Sequence, residues 1–211
     1  MTGRRQIHAR SVVVIALAYG AGALAYPYLP GLFLEQHRLP RLLIAVALPT
    51  TALVIYWLFR SLWRNDRVRT GNGAFEATYQ AIVFRALLFV VALHAIVMLL
   101  LTDAMDTMGI RSWGGRTVVV LLGLTIAAIG NLLPRTRPNV AFGVRTPRTL
   151  TNVQLWQQVH RVGGYTTVAL GLAILIAGLV ISNNGAGAFV LLAAGIAAAV
   201  VYVSYRRLAN A

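Results

Sequence analysis

The sequence predicts an all-α integral membrane protein with six transmembrane helices, and three observations support this fold class. Hydrophobic residues make up 58% of the 211 residues and charged residues only 11%, whereas a soluble domain carries about 25% charged residues. The apolar residues occur in runs near or above about 18 residues, the length that a membrane span needs. Each span must also satisfy its own backbone hydrogen bonds in lipid, so the runs are expected to be helices.

Six apolar runs are long enough to be candidate spans. They are Ser11–Leu34, Leu42–Phe59, Ala86–Thr102, Thr117–Leu133, Val162–Ser182 and Gly185–Tyr205. The shorter ones can be extended by flanking residues such as Arg60 and Arg85, whose long side chains reach outward to the headgroups. We therefore expect three helices in an N-terminal membrane region, 1–116, and three in a C-terminal membrane region, 117–211.

The first run also has features of a cleaved signal peptide. Three arginines in the first ten residues precede an apolar stretch that contains the small-residue sequence Ala-Leu-Ala at 23–25. The apolar run continues well beyond this point, however, and is longer than the core of about 7–15 residues that such signals use. We therefore expect a retained first helix, and a mature protein that begins at Tyr26 would contradict this expectation.

The second and third runs carry local signals of their own. Proline removes a backbone hydrogen bond inside the second run, and the threonines beside it in the sequence Pro-Thr-Thr at 49–51 can satisfy the freed groups, so we predict a kink. Before the third run, the turn-rich residues 70–73 precede Phe75, Tyr79 and Ile82 at helical spacing. This pattern predicts an interfacial helix that leads into the third span and packs through its aromatic face.

The last two runs are rich in small residues and are joined by a short uncharged connection at 183–185. Small residues four apart, as at Ala173 and Ala177 or at Gly195 and Ala199, let helices approach closely. We expect a tight antiparallel hairpin that packs within one chain.

Arginine placement predicts the orientation of the chain in the membrane. All nineteen basic residues are arginines, and only four of them, Arg38, Arg41, Arg111 and Arg116, lie on one side of the predicted spans. By the positive-inside rule, both termini and the fourth loop are cytoplasmic. The formal net charge of +14 then reflects topology and attraction to lipid headgroups rather than binding of nucleic acid.

His94 is the clearest polar candidate inside a span, because it is expected near mid-depth and polar groups there are often functional. A direct role would be proton relay or cofactor ligation, but no second histidine is expected at matching depth for a bis-histidine haem. Alternatively, Thr50, Thr51 or Thr125 gives this histidine a hydrogen bond. No acidic residue lies inside a predicted span, which argues against transport coupled through a carboxylate.

The motifs of several enzyme classes are missing from the sequence. There is no P-loop, no G-x-S-x-G, no H-E-x-x-H and no pair of intramembrane aspartates. The chain has no cysteine, so disulfides and thiolate metal sites are excluded. We therefore predict a protein that is not an enzyme and that uses no metal or cofactor.

The most distinctive segment is the fourth loop, 130–164, which we term the signature loop. It contains five arginines, three prolines and four glycines between two apolar runs, and the prolines forbid a continuous helix. After them, Val153, Trp156 and His160 share one face of a predicted short amphipathic helix at the cytoplasmic membrane surface, which turns at Gly163-Gly164 into the fifth span. Candidate N-caps of this helix are Thr149, Thr151 and Asn152.

The signature loop closely resembles the SdpI family of bacterial integral membrane proteins. The matching residues are Gly130-Asn131, Pro138-Asn139, Gly143-Val144-Arg145-Thr146-Pro147, Thr149-Leu150, Trp156, His160-Arg161 and Gly163-Gly164. The resemblance is strong from Thr117 to Ser182 and looser before it. Two features depart from the family pattern: Arg148 stands where tryptophan is usual, and the first outer loop, 31–40, lacks the Asn, Gly and Asp residues that often follow its histidine.

The resemblance implies a multipass protein of the bacterial cytoplasmic membrane that gives immunity to a secreted, membrane-active peptide toxin. It also implies signalling, because the best-known family member holds a small transcriptional repressor at the membrane once toxin is engaged. The implied partners are membrane lipids, a peptide toxin and a cytoplasmic repressor protein. Since the outer loops are short, we expect an agent bound in or outside the membrane to alter the cytoplasmic loop.

The resemblance also carries over a set of candidate interaction residues. They are Asn131, Pro138, Asn139, Gly143, Arg145, Thr146, Pro147, Trp156, His160, Arg161, Gly163 and Gly164. An alternative role for this set is a structural cap that locks the fourth helix to the fifth. Two alternatives for the whole protein are a small transporter that uses the Pro49 kink and His94, and a scaffold that presents the basic loop to a cytoplasmic partner.

Overall fold

A computed structural model of the chain describes residues 2–29, 32–34, 37–39, 41–65, 73–102, 104–107, 111–181 and 183–210. Six of its helices are long and apolar enough to cross a membrane. They cover Ala9–Tyr28, Arg41–Arg64, Phe75–Leu101, Gly114–Arg135, Val153–Val180 and Gly187–Asn210. The predicted six-helix membrane fold is confirmed.

The elements follow one another with short connections. The helices are α1 (Thr2–Ala25), α2 (Arg41–Asn65), α3 (Gly73–Leu101), α4 (Ala104–Thr107), α5 (Gly114–Gly130), α6 (Pro147–Thr151), α7 (Val153–Val180) and α8 (Asn183–Asn210). Single 3-10 turns occupy Tyr26–Tyr28, Arg111–Trp113 and Leu133–Arg135. Two three-residue strands, β1 (Leu32–Leu34) and β2 (His37–Leu39), pair antiparallel with Leu32 opposite Leu39.

The first and third helices differ from the predicted spans in opposite ways. α1 ends at Ala25, because Pro27 opens a 3-10 turn and the chain then enters β1, so the predicted helical extension to Leu34 is wrong. α3 instead includes the predicted interfacial helix within 29 residues, about 43 Å of helix. That length exceeds a hydrocarbon core of about 30 Å, so α3 extends beyond it. The turn-rich residues 70–72 that precede this helix lie outside the described residues.

The helices α1, α2 and α3 pack together as an N-terminal bundle. Its buried cluster consists of Ile15, Ala52, Phe75, Tyr79, Val83 and Leu87. A second contact brings α1 and α2 close together, because a Cβ added at Gly22 would collide with the carbonyl oxygen of Ala45. Pro49 lies inside α2, and Thr51 donates to the Ala47 carbonyl at 2.9 Å rather than to the Ala45 carbonyl, whose helix bond the proline removes.

The tightest helix pair of the C-terminal half is α5 against α7. Glycines at 123 and 130 in α5 and at 164, 171 and 178 in α7 repeat every seven residues, so each set lies along one helix face. A Cβ at Gly123 would meet the backbone of Leu175, and one at Gly171 would meet the backbone of Ala127. The two backbones are therefore in direct contact. The predicted close approach at Gly195 is not found, because a Cβ there would meet nothing within 4 Å.

Two contacts place the signature loop at one end of the helices. The Arg148 guanidinium donates to the Ala209 carbonyl at 3.1 Å, so the loop adjoins the end of α8. Phe142 packs on aromatic residues near the end of α2 and the start of α3. We term this end of the helices the arginine-rich face, because it is the side to which the arginine bias assigns the cytoplasm.

Candidate functional site

Two local hydrogen-bond motifs begin the helices at the centre of the signature loop. The Thr146 hydroxyl accepts from the Thr149 N–H at 3.2 Å, and the Thr149 hydroxyl accepts from the Thr146 N–H at 2.9 Å. This reciprocal pair is a capping box at the start of α6, with Pro147 in its first turn. Asn152 begins α7, because its Oδ1 accepts from the Leu155 N–H at 3.0 Å. Among the predicted caps, Asn152 is therefore confirmed for the long helix, whereas Thr149 and Thr151 belong to α6.

The predicted turn at Gly163-Gly164 is wrong, because α7 continues through both glycines from Val153 to Val180. Glycine inside a helix costs only about 1 kcal/mol relative to alanine. Close packing explains one of the two: a Cβ at Gly164 would lie 2.7 Å from the Pro134 ring. At Gly163 a Cβ would meet nothing within 4 Å. The short helix of the loop is α6, five residues long.

Trp156 forms the centre of the folded loop. Its side chain is 0% exposed, and its Nε1 donates to the Thr136 carbonyl at 3.1 Å. The sequence pattern favoured a tryptophan at the headgroups, but the structure buries it beneath the segment that follows α5. Since Thr136 lies in the first part of the loop and Trp156 lies on α7, this contact joins the loop to the helix.

His160 stacks on Trp156 and has both ring nitrogens engaged. The two rings are 3.8 Å apart at their centroids and inclined by 14°. His160 Nδ1 lies 2.8 Å from the Trp156 carbonyl oxygen, and Nε2 lies 3.2 Å from the Val144 backbone nitrogen. A carbonyl can only accept, so Nδ1 carries the proton and Nε2 accepts from Val144. This assignment describes a neutral imidazole that joins α7 to the loop.

Gly143 fits this position for two independent reasons. Its φ is +105°, a left-handed conformation that residues with a Cβ rarely adopt. A Cβ at this position would also collide with His160 Nε2. The loop can therefore pass over the imidazole only if residue 143 is glycine.

Asn139 shapes the preceding turn from within. Its side chain is 0% exposed; Nδ2 donates to the Arg137 carbonyl at 2.7 Å, and Oδ1 accepts from the backbone N–H groups of Ala141 at 2.9 Å and Phe142 at 3.0 Å. All of these groups belong to the loop itself, and Pro138 beside it is buried. Asn139 therefore holds the turn that presents Phe142.

Phe142 carries the loop to the N-terminal bundle and was missed by the sequence analysis. Its ring lies 5.0 Å from the ring of Tyr79 and 6.5 Å from that of Phe59, centroid to centroid. The Tyr79 hydroxyl donates to the Phe59 carbonyl at 2.8 Å, which joins α3 to α2 at the same point. An aromatic residue between two arginine-rich stretches was the available signal, but its partners lie more than sixty residues away in the chain.

The arginines of the signature loop lie on its outside. We term Arg135, Arg137, Arg145, Arg148 and Arg161 the arginine set; all five side chains are exposed. Arg145 also donates to the Val140 carbonyl. Asn131, another predicted site residue, is exposed at the end of α5.

Four buried residues and the exposed Gly143 behave differently from the arginine set. We term Asn139, Gly143, Thr149, Trp156 and His160 the loop lock. Its polar side chains are engaged in hydrogen bonds to backbone groups of the loop and α7. The loop lock is therefore suited to holding a shape, and the arginine set is suited to contacting anionic groups.

His94 lies far from the signature loop in the chain and has a different environment. It is 0% exposed, and neither ring nitrogen makes a hydrogen bond of normal geometry among the described residues, although the Ala18 backbone lies close to the ring. Two of the three threonines expected to bond it are engaged elsewhere, since Thr50 pairs with the Tyr19 hydroxyl at 2.9 Å and Thr51 with the backbone. The nearest neighbours include Gly22, where a Cβ would lie 3.3 Å from His94 Nε2.

An acidic residue does lie inside a spanning helix, which corrects the sequence-based expectation. Glu76 is 8% exposed near the start of α3, and it accepts a hydrogen bond from Gln80 Nε2 at 3.1 Å. It was missed because the third span was predicted to begin at Ala86. The side chains of the first outer loop, 30–40, lie outside the described residues, so its departure from the family pattern stays a sequence observation.

Comparison with known proteins gives a family match for one segment of the chain. The SdpI/YfhL protein family matches residues 135–205, from the beginning of the folded loop to the last turns of α8. No curated protein and no solved structure matches the chain. The family match thus covers the loop lock, the arginine set and the last two spanning helices, and leaves the N-terminal bundle outside it.

Proposed function

We propose that the protein gives its cell tolerance to a membrane-active peptide toxin, starting from the match of residues 135–205 to the SdpI/YfhL family. Family membership and the six-helix architecture fit a membrane immunity protein. The family is not one of enzymes, so protection by binding is favoured over protection by degrading the agent. The proposed location is the bacterial cytoplasmic membrane.

The small size of the outer elements supports recognition within the membrane. Among the described residues, the face opposite the arginine-rich face carries a three-residue hairpin pair, the four-residue α4 and single 3-10 turns. Such elements are too small to form a receptor domain. We therefore place the contact with the toxin among the membrane helices, on the lipid-exposed sides of the N-terminal bundle.

The proposal depends most on one observation: the Phe142 ring packs on the rings of Tyr79 and Phe59. We term this contact the Phe142 seat. A toxin that shifts α2 or α3 changes this seat, because Phe142 packs on both helices. The rest of the loop is held to α7 by His160 and Trp156. We therefore expect the toxin-induced displacement in the part of the loop between Phe142 and Trp156. This part carries some of the arginine set.

The test is protection in a sensitive host. Cells that express the wild-type chain should survive a membrane-active peptide from a broad panel at concentrations that kill cells with an empty vector. Phe142→Ala should lose most of this protection while reaching the membrane at wild-type levels. Unchanged sensitivity of wild-type cells to every peptide of the panel would contradict the proposal.

The proposal also includes signalling, in which the arginine set binds a cytoplasmic repressor protein. We refer to this part as the signalling arm. Photo-crosslinkers placed at positions 145 and 161, both exposed, should capture one protein only when toxin is present. Capture that does not depend on toxin would support a constitutive scaffold instead. Failure to capture any protein would contradict both the signalling arm and the scaffold.

A second candidate function, transport, is favoured by His94. This imidazole has no hydrogen-bond partner in the described chain, and the proline at 49 removes the helix bond that the Ala45 carbonyl would otherwise accept. Both groups adjoin Gly22, so two polar groups meet inside the bundle. If this reading is correct, liposomes that contain the protein will move protons or a solute, and His94→Ala will abolish the flux. Flux no greater than that of empty liposomes removes this candidate.

A further inference from the structure

A cavity of about 140 Å³ lies between α1, α2 and α3 at the arginine-rich face. Its lining includes Ser11, Tyr56, Arg60, Trp63, Arg64 and Gln80. Ser11 and Gln80 are buried, at 3% and 7% exposure, so the cavity has polar groups in its depth and arginines on its α2 side. None of the predicted site residues belongs to it.

The side chains that line the cavity are suited to bind a ligand in which a phosphate group is attached to an apolar chain. Arg60 and Arg64 are four residues apart and so share one face of α2, and guanidinium groups match phosphate oxygens with paired hydrogen bonds. Trp63 and Tyr56 offer aromatic surface with a polar edge, the type of side chain favoured where lipid meets water. Arg60 Nη1 lies 3.4 Å from the Tyr56 hydroxyl, which holds the guanidinium against the aromatic wall.

The size of the cavity limits what enters it. A volume of about 140 Å³ corresponds to roughly five water molecules at liquid density, enough for a phosphate and the first carbons of its substituent. Acyl chains must stay outside. Leu53 and Trp57, 45% and 67% exposed, precede Arg60 and Arg64 along the same stripe of α2 and provide an apolar path into the bilayer.

A negative charge beside the cavity restricts the charge of the ligand. Glu76 accepts a hydrogen bond from Gln80, a residue of the lining. A carboxylate hydrogen-bonded to a residue of the lining repels a highly charged anion more than a singly charged one. A phosphodiester with one negative charge is therefore favoured over a phosphate monoester or pyrophosphate.

We propose that this cavity binds the phosphodiester headgroup of an anionic amphiphile, with Arg60 and Arg64 on the phosphate and Trp63 on the adjoining carbons. The ligand chemistry has two sources, a glycerophospholipid of the bilayer and a soluble phosphodiester. Phe59 and Tyr79 line the cavity and also hold Phe142. An occupied cavity therefore stiffens the Phe142 seat.

Binding is tested on the full chain in nanodiscs of phosphatidylcholine that are titrated with phosphatidylglycerol, with lipid retention read by native mass spectrometry. The variant Arg60→Gln/Arg64→Gln should lose about tenfold in phosphatidylglycerol affinity, because charge-assisted hydrogen bonds are removed. The control Arg206→Gln/Arg207→Gln removes two exposed arginines of the same face and should change the affinity less than about twofold. An equal loss in both variants would overturn the proposal, since binding would then be diffuse attraction to the whole face.

Competition with glycerophosphoglycerol, which lacks acyl chains, distinguishes a bilayer lipid from a soluble phosphodiester as the ligand. Weak competition by this probe assigns the site to a bilayer lipid, whereas competition equal to that of phosphatidylglycerol assigns it to a soluble phosphodiester. If the double glutamine variant is not recovered folded, Arg64→Gln alone is used, because Arg64 is exposed. Arg60→Lys/Arg64→Lys should keep part of the affinity, and wild-type affinity in Arg64→Gln would contradict the site.

Discussion

Two buried histidines of the described chain, His160 and His94, have opposite environments. His160 stacks on Trp156 and has a hydrogen bond at each ring nitrogen. His94 is fully buried in the N-terminal bundle with no partner for either nitrogen among the described residues. A buried polar group with all its bonds made stabilises a shape, and one without them destabilises the fold. The comparison shows that the histidine of the signature loop is fully used in holding structure, whereas the histidine of the bundle is not.

The largest expected effect follows from the glycine above His160. Gly143→Ala introduces a Cβ into the imidazole and requires a left-handed backbone, so we expect a loss of about 3 kcal/mol or more in stability. Thermal unfolding of the purified variant in detergent measures this. Gly163→Ala is the matched control, because a Cβ there meets nothing within 4 Å; it should leave the melting temperature unchanged or raise it. Equal destabilisation by both changes would show that the loop lock does not depend on Gly143.

The next effect concerns the bonds of His160 itself. His160→Phe keeps a ring on Trp156 but leaves the Val144 N–H and the Trp156 carbonyl without their side-chain partner. We expect a loss of about 2 kcal/mol and a change in the fluorescence of Trp156. A variant with wild-type stability would contradict the proposal that His160 joins α7 to the loop through a hydrogen bond at each ring nitrogen.

Replacement of the other histidine should act in the opposite direction. His94→Leu removes a buried imidazole that has no partner in the described chain, so we expect an increase of about 1 kcal/mol in stability. The melting temperature in detergent measures it, with His160→Leu as the comparison that should fall. A clear loss of stability in His94→Leu would mean that His94 has a bound partner in the native protein.

The smallest stability effect and the clearest functional one are expected at Phe142. Phe142→Leu removes aromatic contacts to Tyr79 and Phe59 that are worth about 1 kcal/mol. Protection against toxin should nevertheless fall strongly, because the link between the bundle and the loop is weakened. Thermal unfolding and the survival assay are compared in the same variant. Full protection in Phe142→Leu would show that the loop does not receive its input through this contact.

The parts of this structure that were predictable from the sequence depend on local patterns. The six spans follow from apolar runs, and Asn152 as a cap follows from its side-chain chemistry. The turn predicted at Gly163-Gly164 is wrong, because Gly164 serves close packing against Pro134 within a continuous helix. The seven-residue repeat of glycines in α5 and α7 was readable from the sequence and identifies the tightest helix pair.

Other features could not be predicted, because they depend on residues distant in the chain. Phe142 reaches Tyr79 only when six helices have packed, and nothing near position 142 indicates this partner. The steric need for glycine at 143 follows from the position of the His160 ring. The predicted site residues therefore separate into a lock and an exposed surface only in three dimensions.

The backbone contact between α5 and α7 has a mechanical consequence. With glycines facing backbone at Gly123, Gly130, Gly164 and Gly171, sliding one helix along the other would drive branched side chains into the opposing backbone. We therefore expect α5 and α7 to keep their relative position along the helix axes and to move as one rigid unit. Both ends of the signature loop are anchored on these two helices, so we expect the distance between the ends to change little when the protein moves. We therefore expect movement of the loop to originate at its lateral contacts, above all where Phe142 meets the N-terminal bundle.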